Sequence, residues 1–134
     1  MDAYRHVNNV QYLRLLEDAR IAGIGEWFST PVTGVELGFL VSRHEIEYLY
    51  PLTFRQAPVE VDMWVHDIGG ASFTVGYVVR DPDSVGDRVY CHAETGMVNF
   101  DFAADRPRRL SDEQRTVLRA HLREQVRFRH GRRA

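Results

Sequence analysis

The chain has 134 residues, a net charge of −2, 44% hydrophobic residues and 27% charged ones. That size bounds one domain, spanning 1–134, with enough chain to bury a core unaided. The near balance of charge excludes any global pull toward nucleic acid or an anionic membrane surface. Cys91 is the only cysteine, which excludes a disulfide framework and a cysteine zinc site and fits a cytoplasmic location. No run approaches the roughly eighteen apolar residues of a membrane span, and no secretory leader pattern is present.

The first element is a helix from about Asn8 to Phe28. Asn8 is a good N-cap, and Gln11 three residues later completes a capping-box pattern. Leu13, Leu16, Ile21, Ile24 and Phe28 form one apolar stripe, and Tyr12, Leu16, Ala19, Gly23 and Trp27 a second. Such a wide arc predicts a helix buried on more than one side. Ser29-Thr30-Pro31 ends it, because proline cannot continue the ladder.

The period then changes. Residues 40–50 read as a strand. Residues 59–68 alternate, with Val59, Val61, Met63 and Val65 on one face and Glu60, Asp62, Trp64 and His66 on the other. On that polar face Trp64 is expected to line an interface or an acyl pocket. Gly69-Gly70 predicts a tight turn, followed by a strand over 72–80, a loop over 81–87 and a long strand over 88–102. Ser111 with Gln114 is a second capping box, opening a helix to about Arg127. One long helix, four strands and a short helix define an α+β class. The hairpin-length connections make the sheet mostly antiparallel, and the economical way to cover it is to curve it around the long helix. Open edges then favour a homodimer that extends the sheet, or a homotetramer of two such dimers.

The polar start, DAYRHVNN over residues 2–9, is where chemistry concentrates. A helix N-terminus has unpaired N–H groups and partial positive charge, so it polarises a carbonyl or holds an oxyanion. Asp2 lies six residues before the cap, near enough to reach the same point. A carboxylate beside oriented donors suits acyl transfer, by direct attack or by activating water.

These residues carry a resemblance. DAYRHVNNVQYLRLLEDAR resembles the signature of the 4-hydroxybenzoyl-CoA thioesterase family: an Asp, a Gly-His-Val-Asn-Asn stretch, then a tyrosine-containing helix ending in Glu-x-Ala-Arg. Asp2, His6-Val7-Asn8-Asn9, Tyr12 and Glu17-Asp18-Ala19-Arg20 match it, and EIEYLYPLTF (45–54) and Ser72-Phe73 look like the family downstream. The resemblance implies a hot-dog fold and acyl-CoA thioester hydrolysis (EC 3.1.2 type) at a dimer interface. It makes Asp2 the catalytic carboxylate and the Asn9 and Val10 backbone N–H groups the oxyanion hole. His6, Asn8, Tyr12, Glu17 and Ser72 become substrate-binding residues, with pantetheine near Ser72. The thioester is carried by coenzyme A or an acyl-carrier protein, and no separate cofactor is expected.

Three departures stand out. The family's N-terminal edge strand, which precedes the Asp, is missing from this sequence. Arg5 replaces the usual glycine. The turn before Ser72 lacks the family's basic residue, leaving Arg43, Arg55 and Arg80 as candidates for the CoA phosphates. These departures keep open a non-catalytic hot-dog module that binds an acyl thioester or a protein, and a fragment of a longer thioesterase. Glu17 is the runner-up carboxylate; otherwise it is a helix-surface residue paired with Arg14 or Arg20. No histidines share ligand spacing, so no metal is expected. Cys91 reads as packing, and the tail RFRHGRRA as solvated.

Overall fold

The computed structural model describes residues 9–29, 38–50 and 58–126. Helix α1 (Asn9–Trp27) is followed by strands β1 (Phe39–Tyr48), β2 (Glu60–Ile68), β3 (Ser72–Arg80), β4 (Val89–Asp101) and the two-residue β5 (Arg106–Pro107), then helix α2 (Asp112–Arg119). The strands run antiparallel in the order β1-β4-β3-β2, and β5 pairs with the end of β4. Three register shifts, at Val41/Arg43, Val65/Asp67 and Val79/Arg80, bend the strands; each bulge adds local twist, which curves the sheet. This is the hot-dog fold, with α1 on the inner face of a curved five-stranded sheet.

Alternation places Phe73, Val75, Tyr77 and Val79 of β3, and Cys91, Ala93, Thr95 and Met97 of β4, against the helix, all buried. The helix contributes Tyr12, Leu16, Arg20 and Ile24, one residue per four along a single line. Leu13 is 40% exposed, so the predicted wide arc narrows to this line and its flank. The direction of α1 follows from its two ends. Tyr12 meets Tyr48 edge to face at 5.0 Å, and Phe28 meets Phe39 at 5.6 Å.

The strands lie within about two residues of their predicted bounds, and both halves of the Ser111–Gln114 capping box form, at 3.0 and 2.8 Å. The C-terminal helix is shorter than predicted, ending at Arg119 instead of reaching Arg127. The reason is the outer edge of β2. Val65 N–H donates to His121 O at 2.9 Å, and Arg123 N–H donates to Val65 O at 2.7 Å. An unpaired strand edge thus takes the backbone that would have continued the helix. Trp27 stacks on His121, with ring centroids 4.3 Å apart, and anchors this crossing. Trp64 Nε1 donates to Glu124 O at 2.8 Å, and Val126 packs beside Trp64 over Gly76. Within this chain Trp64 therefore faces the C-terminal segment instead of lining an acyl pocket.

Candidate active site

Helix α1 starts at Asn9, one residue after the expected cap, so the backbone of Asn9 and Val10 lies in the first turn, where N–H groups lack intrahelical partners. Asp2, His6, Asn8 and Arg55 lie outside the described residues. Tyr12 is buried, and its hydroxyl has no hydrogen-bond partner among the described residues. Burial, with Cys91, Tyr48 and Tyr90 nearby, pushes its phenol well above the ordinary tyrosine range. Ser72 is exposed at the opposite end of the sheet. Tyr48 is opposite Cys91 on β4 and Ser72 is opposite Val98, a separation of roughly 23 Å at strand rise. A single chain therefore does not bring Ser72 to the N-terminus of α1.

Further along α1, a cavity of about 380 Å³ opens between the helix flank and β1, lined by Leu13, Arg14, Glu17, Arg20 and His44. Glu17 is exposed at this cavity and, among the described residues, pairs with neither Arg14 nor Arg20. Arg20 is 6% exposed. Its guanidinium donates to Tyr77 Oη at 3.3 Å, and Tyr77 donates to Thr95 Oγ1 at 2.9 Å. Thr95 Oγ1 lies 2.9 Å from His44 Nδ1. The Thr95 hydroxyl accepts from Tyr77 and also bonds His44, whose Nδ1 donates or accepts according to its tautomer. His44 is held below its usual pKa chiefly by burial and then by Arg20, with Glu17 opposing. Burial also raises the Tyr77 phenol, against the pull of Arg20.

Sequence reasoning placed Arg20 only within a motif. A signal was present: Arg20 falls on the line of Tyr12, Leu16 and Ile24, four residues apart, where an arginine is carried under the helix.

The arginines proposed for phosphate are mostly committed elsewhere. Arg80 pairs with Glu60, Asp62 and Asp83. Arg43 pairs with Glu94 at 3.2 Å, on the sheet face away from α1, where the fully buried Glu94 also meets His66 Nε2 at 2.9 Å. Near Ser72, a second cavity of about 480 Å³ is lined by Phe28, Arg108, Arg109, Ser111, Glu113, Gln114 and Val117. Neither Arg108 nor Arg109 has an ion-pair partner among the described residues. Arg115 holds the adjacent turn by donating to the Gly69 and Gly70 carbonyls, each at 2.9 Å. Among the described residues no three His, Cys, Asp or Glu side chains converge on a cation position, and no helix is long and apolar enough to cross a membrane.

Comparison with known proteins places this geometry in a family. The thioesterase-like superfamily profile matches residues 1–126, and the chain belongs to that superfamily. Its fold is similar to that of a predicted thioesterase from Bacillus stearothermophilus, with a TM-score of 0.78 and 23% identity over 92% of this chain and 89% of that one. It is also similar to a thioesterase from Thermus thermophilus complexed with coenzyme A and Zn, with a TM-score of 0.72 and 25% identity over 90% and 84%. A gentisyl-coenzyme A thioesterase aligns with a TM-score of 0.70 and 19% identity over 88% and 90%. No curated protein matches the chain.

Proposed function

We propose that this protein hydrolyses an acyl-CoA thioester to free acid and CoA, with Asp2 as the catalytic carboxylate. The observation that carries the reading is the start of α1 at Asn9, inside a superfamily match that includes Asp2. First-turn N–H groups of Asn9 and Val10 would face the thioester oxygen and stabilise the charge that develops as the carbonyl becomes tetrahedral. Asp2 attacks the carbonyl, expelling the CoA thiolate and leaving a mixed anhydride that water then cleaves, or it takes a proton from a water that attacks the carbonyl as the CoA thiolate leaves. The Tyr12 hydroxyl beneath this turn, without a partner among the described residues, supports its role in holding substrate.

The site is completed by a second copy of the chain. The sheet ends at β1, and among the described residues nothing pairs with its outer edge, where Val41 and Tyr48 are 41% and 40% exposed. The other edge, at β2, is covered by residues 121–123. Antiparallel pairing of two β1 edges about a two-fold axis brings the Phe39 end of one copy beside the Tyr48 end of the other. That arrangement puts Ser72, Arg108 and Arg109 of one copy on the side of the other's α1 N-terminus. Pantetheine would then pass Ser72, and Arg108 and Arg109, not Arg43 or Arg80, would meet the CoA phosphates. The coenzyme A bound by the Thermus protein supports a CoA ester as substrate.

The test is thiol release from a panel of acyl-CoA esters by wild type and Asp2→Asn. Loss of a positioned base or nucleophile lowers kcat by about 10²- to 10⁴-fold. An Asp2→Asn protein with wild-type kcat/KM would remove Asp2 from the mechanism, and CoA-ester binding by wild type without thiol release would make the protein a binding module.

A further inference from the structure

Arg20 raises a question that hydrolysis alone does not answer. A buried guanidinium is costly unless an anion or several acceptors satisfy it. Among the described residues its one hydrogen-bond partner is the neutral Tyr77 hydroxyl. The cavity beside it is lined by two guanidiniums, Arg14 and Arg20, against one carboxylate, Glu17, while His44 is neutral, so its lining carries one net positive charge. A volume of about 380 Å³ is that of a small-ligand pocket. The Arg20–Tyr77–Thr95–His44 chain is anchored on three strands and fixes the floor.

Resting on the thioesterase reading above, we infer that this cavity is the acyl pocket and that Arg20 selects acyl groups bearing a terminal carboxylate. Arg20 follows the first residue of α1 by eleven positions, and long side chains on a helix lean back toward its N-terminus. At 1.5 Å of rise per residue the eleven positions span about 16 Å along the axis, and an arginine side chain reaching back about 6 Å leaves about 10 Å between the helix start and the guanidinium, the span of a dicarboxylic acyl chain of roughly six to eight carbons. The carboxylate would take the guanidinium donors that Tyr77 leaves free, with the neutral His44 ring at the rim. Glu17, on the same cavity, carries like charge and would turn away longer or doubly charged ends. Leu13 supplies apolar contact for the methylenes.

The experiment compares adipyl-CoA with hexanoyl-CoA, which share chain length and differ only in the terminal group. Wild type should favour adipyl-CoA in kcat/KM by about ten- to a hundredfold, the discrimination of a built polar site. Arg20→Met should erase that preference, with a loss on adipyl-CoA exceeding any loss on hexanoyl-CoA by at least about tenfold. Tyr77→Phe keeps the charge and weakens its orientation, so it should reduce the preference in part even if Arg20→Met fails to fold. Equal rates on the two esters with wild type, or parallel losses on both in the variants, overturn the proposal. Titration with free adipate and hexanoate, read from the His44 ring resonances, separates this inference from the thioesterase reading. If no ester is cleaved but adipate alone perturbs His44, the hydrolase reading falls and the carboxylate site stands. If adipate has no effect, the site falls.

Discussion

Arg20 and His44 are coupled across the cavity, and each bears on the other's charge. Burial is the main cause of the lowered His44 pKa and Arg20 the second. Arg20→Met should therefore raise the His44 titration midpoint toward, but not to, its ordinary value, as followed by ring-proton NMR. The same shift sets a direction for stability. Below the unfolded value near 6.5, the unfolded chain binds a proton that folded His44 resists, so stability falls as pH drops through that region. His44→Gln should flatten this part of the stability–pH curve, and an unchanged slope would place the dependence on other groups. Cys91 is the opposite kind of residue. Burial, with Glu47 nearby, pushes its thiol up to about 12, so it stays protonated at neutral pH and belongs to packing, as its place on an apolar strand face suggested. Arg20 was hard to read because its type argues for the surface while its spacing argues for the core, and only the folded chain shows that spacing prevails.

The elements were readable where local signals agree. Alternation set β2, β3 and β4, and the Ser111–Gln114 pair set the start of α2. The end of α2 was not readable, because its stop is tertiary: the edge of β2 and the Trp27 ring take residues that carry no helix-breaking signal of their own. Gly76 tests that crossing. A Cβ there would sit 2.8 Å from Val126 Cγ2 and 2.9 Å from Trp64 Cε2. Gly76→Ala should destabilise the fold by about 1–3 kcal/mol through overpacking, measured by denaturant unfolding. A variant as stable as wild type would mean that residues 121–126 leave the sheet at no cost.

At the scale of the whole molecule, the fold and superfamily were visible in the first twenty residues and in strand periodicity. The division of the site was not. Ser72 belongs with the substrate residues by resemblance, but it stands at the far end of the sheet from Tyr12. Arg108 and Arg109 carry no motif and are noticed only because β5 brings Arg109 beside Gly70 and Arg108 beside Gly38. The two ends become one site only if two copies pair through β1. The direct test is complementation between Asp2→Asn and a second variant, Arg108→Glu with Arg109→Glu. Each alone should be nearly inactive on an acyl-CoA ester. Refolded together in equal amounts, half the dimers are mixed, and each mixed dimer has one undamaged site, so activity should return to about a quarter of wild type. A mixture no more active than the sum of its parts would contradict a site shared between copies.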